Sequence, residues 1–176
     1  MFPGTLETQR LLLRKPRAQD ADVIFRVYAR DPEVTRYLTW RTHTSIETTR
    51  DFIAQCAEWW RGGKAFPYVI TRKGDGELQG MIEFRVNGHC MDFGYVLARP
   101  YWGNGLMPEA ASALIALALG LPSIYRVQAI CDVENRASAR VLEKAGLLQE
   151  GLLRRNIVHP NISAEPRDTL LYAITR

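Results

Sequence analysis

The stretch Tyr95-Val96-Leu97-Ala98-Arg99-Pro100-Tyr101-Trp102-Gly103-Asn104-Gly105-Leu106-Met107-Pro108-Glu109-Ala110 reads as a strand, a short loop with two glycines and a helix N-terminus in immediate succession. Gly103 and Gly105 remove side chains where a backbone has to come close to a ligand. The free amides of the first helical turn then point outward with the positive end of the helix dipole. Such a loop is a cradle for a diphosphate. It is neither of the best-known ones, because the GxxxxGK[ST] spacing is absent and no GxGxxG occurs in the chain. The bare tripeptide Gly-Asn-Gly also serves as an ordinary tight turn, so its surroundings decide.

C-terminal to this loop, residues 106–119 are rich in Ala and Leu with almost no charge, which suits a helix packed across a sheet. A strand over 126–133, a helix over 135–145 stopped by Gly146, and strands over 150–159 and 169–175 complete the chain. N-terminal to it, Leu11, Leu12 and Leu13 open with a short strand, and a helix over 19–30 ends at Asp31-Pro32. A second helix begins near Thr44, buries Phe52, Ile53, Cys56, Trp59 and Trp60, and stops at Gly62-Gly63. Strands over 66–72, 78–86 and 90–98 follow, the last two joined by Asn87-Gly88, a strong hairpin signal. The order is β α α β β β α β α β β. Only the connection from 90–98 through the Ala-rich helix to 126–133 is long enough for a parallel crossover. The expectation is a single mixed α/β domain over 1–176, with a largely antiparallel seven-stranded sheet and about four helices.

Composition narrows the function. The chain has 176 residues and a formal net charge of +4, with arginine providing 19 of its 23 basic residues. The charges are scattered without basic runs, so a phosphate-bearing small molecule explains the surplus at least as well as nucleic acid. The longest apolar run, 110–121, is well short of the ~20 residues that span a bilayer. Three distant cysteines without CxxC spacing argue against zinc and disulfides, and no His pair has metal-ligand spacing. With no basic-then-apolar leader pattern, a cytoplasmic protein, monomeric or homodimeric, is expected.

The chain resembles the GNAT acetyltransferase superfamily, in the branch of the ribosomal-protein N-terminal acetyltransferases RimJ and RimL. Five stretches carry the resemblance in order: Leu6 to Arg14, Asp31 to Leu38, Trp102-Gly103-Asn104-Gly105 with Pro108-Glu109-Ala110, Asn135 to Gly146, and Glu150-Gly151 with Asp168 and Tyr172. It implies a sheet splayed between the strands ending at Ala98 and starting at Arg126, with acetyl-CoA wedged between them. It further implies that backbone groups of Val96 and Leu97 pair with the pantetheine arm and that amides around Trp102, Gly103, Asn104, Gly105, Leu106 and Met107 hold the pyrophosphate. Asn135 would bond a pantetheine amide, and Ser138 would stand beside the thioester sulfur as proton donor. Pro100 departs from the family's pattern, and neighbouring Arg99 is a charge that could compensate. The tyrosine that many members place four residues after the serine is Leu142 here, and the RimL-type glutamate on the penultimate strand is Ile157.

A base is still required, because the attacking amine is protonated near neutral pH. With Asn87 and Gly88 as the turn, Glu83 falls opposite Asp92, with Cβ atoms ~4.5–5.5 Å apart. Two carboxylates that close would raise the pKa of one and attract an ammonium. The alternative is that Arg85 neutralises both in a structural salt bridge. Tyr37, Trp40 and Arg41, between the first two helices, are the candidate acceptor-binding residues, and the loop 159–167 is expected to border the same groove. The reading is an acetyl-CoA-dependent N-acetyltransferase acting on a primary amine, either a protein N-terminal α-amine or a small molecule. Its rivals are a non-catalytic acyl-CoA-binding module and, on the basic charge alone, a nucleic-acid-binding domain.

Overall fold

The computed structural model describes residues 2–176. Eight strands form one sheet in the order β1-β2-β3-β4-β5-β6-β8-β7. They are β1 (Thr5–Glu7), β2 (Leu11–Arg14), β3 (Ala65–Arg72), β4 (Leu78–Asn87), β5 (Cys90–Leu97), β6 (Arg126–Asp132), β7 (Leu148–Ile157) and β8 (Arg167–Thr175). Neighbours are antiparallel except β5 and β6, joined in parallel through the Ala-rich helix. The expected seven strands become eight because Thr5–Glu7 pairs with Leu12–Arg14, too short a run to show a period.

Five α-helices pack on the two faces: α1 (Asp20–Ile24), α2 (Pro32–Thr35), α3 (Ile46–Gly62), α4 (Leu106–Leu119) and α5 (Arg136–Lys144). α1 runs on as a wider π-type turn over Phe25–Ala29. The additional helix, α2, starts where sequence reasoning placed only a stop. Asp31 caps it by accepting from the Glu33 amide at 2.9 Å, and Pro32 takes the first-turn position where its missing N–H costs nothing. Ser45, not Thr44, caps α3, and Gly63 closes it in the left-handed region.

The strands alternate their side chains between two cores. Phe84, Met91 and Phe93 meet Ala110, Leu114 and Leu142 from the α4 and α5 side. Val69, Met81 and Ala98 meet Ile24, Tyr28 and Ile53 from the α1 and α3 side.

The β4–β5 hairpin closes on the two-residue loop Gly88-His89, with Asn87 opposite Cys90. Gly88 has φ +60, while His89 is not among the residues with positive φ. A type I′ loop needs positive φ at both central residues, and a loop with glycine first needs it at one. The whole ladder is therefore displaced from the expected register: Arg85 faces Asp92, and Glu83 faces Gly94.

At Gly80 on β4 an added Cβ would sit 2.3 Å from the Val96 carbonyl oxygen of β5, a backbone atom that cannot swing aside. Gly80→Ala is expected to lower stability by ~1–3 kcal/mol through overpacking, read as a reduced midpoint in thermal or urea unfolding.

Candidate active site

β5 and β6 pair only over Cys90–Asp92 with Arg126–Gln128 and then diverge. A cleft of about 930 Å³ opens at the divergence, walled by β5, β6, the loop into α4, the first turns of α5 and the segment after α2. The Ala98 N–H donates to the Gln79 carbonyl at 2.8 Å, which fixes the phase of the β4–β5 ladder. By the alternation of antiparallel pairing, Val96 turns its backbone groups to β4, whereas Tyr95 and Leu97 turn theirs into the gap. Val96, expected to offer its backbone to the cosubstrate, thus has it committed to β4, while Val96 and Tyr95 both line the cleft. The Leu97 carbonyl is already taken by the Trp102 indole Nε1 at 2.7 Å.

Gly103 and Gly105 have φ of +79 and +72, a region costly for any side chain, and nothing lies within 4 Å of where a Gly103 Cβ would stand. α4 begins without a side-chain cap, which leaves the amides of Leu106 and Met107 without a side-chain acceptor, and Pro108 has none to leave unpaired; all three residues line the cleft. Asn104 does not line the cleft. Its side-chain amide braces the loop through the carbonyls of Tyr101 and Trp102, at 3.3 and 3.2 Å.

This loop is held from a distance by the β1–β2 turn. Glu109 accepts from the Thr8 hydroxyl at 2.5 Å, from the Arg10 amide at 2.8 Å and from Arg10 Nε at 2.7 Å. Arg10 Nη1 also donates to the Asn104 carbonyl at 3.0 Å. In a trans peptide the C=O and the following N–H point opposite ways, so pinning the Asn104 carbonyl outward turns the Gly105 N–H inward. Burial raises the Glu109 pKa, but Thr8 and Arg10 outweigh it and hold the carboxyl below its usual range. Arg99, expected to lend charge here, is paired instead with Asp31 at 3.2 Å.

On the α5 side, Asn135 caps the helix by accepting from the Ser138 amide at 3.1 Å, while both residues line the cleft. The Ser138 hydroxyl lies 2.7 Å from the Tyr95 hydroxyl. Sequence reasoning gave Tyr95 no role in the site. The missed signal is a phenol on β5 where the neighbouring strand has parted. Burial pushes the Tyr95 pKa well up, so the phenol remains a proton-bearing donor at neutral pH. Leu142, at the place of the family's tyrosine, is fully buried core. Cys131 lines the same wall, its thiol pushed up to about 11 by burial, and is a poor thiolate.

The expected face-to-face carboxylate pair is absent. Arg85 stands between, donating to Asp92 Oδ1 at 2.6 Å and to Glu83 Oε1 at 2.9 Å. Glu83 lines the cleft and Asp92 does not. Burial raises the Glu83 pKa, more than Arg85 beside it lowers it.

Tyr37 and Trp40 line the cleft, and Arg41 does not, its guanidinium reaching the Pro160 carbonyl at 3.4 Å. Asn161 fastens the 35–42 segment, donating to the carbonyls of Thr35 and Trp40 at 2.7 and 2.8 Å and accepting from the Thr42 amide at 3.1 Å. Asp132, wholly buried, accepts from Arg167 at 2.6 Å, and His159 lies 3.6 Å from it. Burial raises the Asp132 pKa, but Arg167 and the Glu134 amide hold it below its usual range. Among the described residues no cluster of three or more His, Cys, Asp or Glu could hold a metal ion, and no helix is long and apolar enough to cross a membrane.

The family model of the acetyltransferase (GNAT) domain matches residues 10–148. The chain belongs to the GNAT acetyltransferase family. This GNAT enzyme is 32% identical to the uncharacterized N-acetyltransferase YoaA of Bacillus subtilis strain 168, across all of this chain and 98% of that one. It is 25% identical to the ribosomal protein uS5-alanine N-acetyltransferase of Escherichia coli strain K12, covering 97% and 90% of the two chains. Its fold matches, at a TM-score of 0.88, the microcin C7 self-immunity acetyltransferase MccE, solved in complex with acetyl-CoA and AMP. The two are 20% identical over 99% of this chain and 98% of that one.

Acetyl-CoA is the cosubstrate, and the site fits it: an open strand edge for an amide-bearing arm and uncapped amides for a diphosphate. If Arg10 orients the loop amides, Arg10→Met raises KM for acetyl-CoA by about tenfold, the equivalent of one charge-assisted hydrogen bond. It leaves kcat and the KM for S-acetylpantetheine, which lacks the diphosphate, unchanged in steady-state assays.

Proposed function

We propose that the enzyme transfers the acetyl group to a primary amine by direct attack in a ternary complex, with no acyl-enzyme. One observation carries this reading: the gap between β5 and β6 passes through the sheet, with different chemistry on its two faces. Glu83 belongs to the face covered by α1 and α3, and the Tyr95–Ser138 pair to the face covered by α4 and α5.

Glu83 has one oxygen on Arg85 and its other oxygen without a protein donor. With Arg85 and Asp92 it forms a group of net charge −1, which draws in an ammonium. As the amine binds, Glu83 takes one of its protons, and the freed lone pair attacks the thioester carbonyl carbon. The C–S bond then breaks, and the Ser138 hydroxyl, backed by the Tyr95 phenol, hands a proton to the departing sulfur. The attacking nitrogen gives up its second proton to those hydroxyls, directly or through water. Glu83 finally releases its proton to solvent, so the sum is amide, thiol and one proton. Asp92 acts at one remove, by holding Arg85.

The uS5-alanine N-acetyltransferase supports a protein N-terminus as acceptor by likeness alone, and a small-molecule amine satisfies the same chemistry. Thiol release from acetyl-CoA across amines and N-terminal peptides tests the reading. Saturable acetyl-CoA binding with no turnover on any acceptor would make the chain a binding module.

Glu83→Gln is expected to lower kcat by ~10²–10⁴ while leaving acetyl-CoA affinity intact. Because Glu83 must be ionised to work, wild-type kcat/KM falls as pH drops through its raised pKa, and the variant lacks that limb. An unchanged rate and profile would reduce the Glu83–Arg85–Asp92 group to a structural one.

A further inference from the structure

The acceptor end of the cleft is built differently from the cosubstrate end. Along α3, Phe52, Cys56 and Trp59 fall at i, i+4 and i+7 and form one stripe. Cys56, between them, is fully buried, and Glu83 lines the same cleft as Phe52 and Trp59. The rings of Phe52 and Trp59 meet edge to face with centroids 6.0 Å apart, and both line the cleft. Trp40 stands in the same lining, its ring 4.8 Å from that of His43, whose Nδ1 is engaged by Thr49 at 2.7 Å. Met81 adds an apolar floor beside Glu83. A carboxylate paired with Arg85 thus shares its cleft with aromatic and aliphatic surfaces.

The backbone around Glu83 is closed. β4 is paired on one side with β3 and on the other with β5 along its length, so no free edge is available to a second chain near the carboxylate. The unpaired edge in the cleft belongs to the parted segments of β5 and β6, where the cosubstrate lies. A peptide N-terminus brings a carbonyl and an N–H within two bonds of its α-carbon, and these lose hydrogen bonds if buried against rings. An amine on a hydrocarbon stem brings no such groups, and its carbon gains from leaving water.

Resting on the acetyl-transfer reading above, we propose that the acceptor is a primary amine carried on an aromatic or branched apolar skeleton, an arylalkylamine in the simplest case. Its ammonium meets Glu83, and its carbon body lies against Phe52, Trp59 and Trp40. The proton and electron movements are those already given, with no further reactant.

Three probes decide it by thiol release from acetyl-CoA: 2-phenylethylamine, putrescine and an alanine-initiated tetrapeptide amide. The expected result is a kcat/KM for 2-phenylethylamine ~10-fold or more above the other two. Trp59→Ala and Phe52→Ala each remove most of that preference at unchanged KM for acetyl-CoA, while Trp59→Leu keeps part of it. The unfolding midpoint and the acetyl-CoA KM show that each variant is folded. A preference for the peptide or for putrescine overturns the proposal and leaves acetyl transfer standing, as does a loss in Trp59→Ala and Trp59→Leu that is equal for all three amines. Failure of the wild-type enzyme to turn over any amine removes the acetyl-transfer reading and this proposal with it.

Discussion

The parting of β5 from β6 after three paired residues is the constraint on which the rest of the molecule depends. A sheet that stayed closed here would satisfy its own backbone and bind nothing. The gap persists because each strand is fully paired on its far side, β5 with β4 over eight residues and β6 with β8 over seven. Neither can swing inward without losing that ladder. Unpaired backbone groups are costly in a protein interior, so a strand edge of this kind is tolerable only where water or a ligand reaches it.

The gap also explains why the two halves of the chemistry are segregated. Side chains alternate across a strand, so neighbouring positions on β4 and β5 serve opposite faces. Glu83 and Tyr95 reach the cleft from opposite layers. In the proposed reaction the proton leaving the amine and the proton arriving at the sulfur are handled by groups on opposite faces of the sheet. Arg10 and Glu109 serve a different need: they tie the first two strands to the glycine loop.

Much of this was legible from residues alone. The glycine loop, the helix over 106–119 and the single parallel crossover all stand as read, because each rests on a local rule that nothing distant overrides. The hairpin register was not legible, since Asn-Gly is compatible with a loop at 87–88 or 88–89, and only the backbone shows that Gly88 alone adopts positive φ. That displacement put Arg85 where a second carboxylate was expected. Tyr95 was hidden for another reason: on a strand pattern a buried phenol and a core phenylalanine look alike until the neighbouring strand is known to have left. Arg41 and Asn161, both near the acceptor wall in sequence terms, turn out to tie the 35–42 segment to the 159–163 turn. No one-dimensional pattern reveals such long-range ties.

The indole of Trp102 is 46% exposed and bonds the Leu97 carbonyl beside the gap between β5 and β6, whereas Trp40, after α2, and Trp59, on α3, line the same cleft from other elements. The cleft therefore carries more than one intrinsic optical probe. With Trp40, Trp59 and Trp60 replaced by Phe, emission from Trp102 follows arrival of the thioester, and with Trp60 and Trp102 replaced, emission from Trp40 and Trp59 follows arrival of the amine in the proposed reaction. The order in which the two reactants enter is thus written into intrinsic fluorescence, accessible by stopped flow without any label.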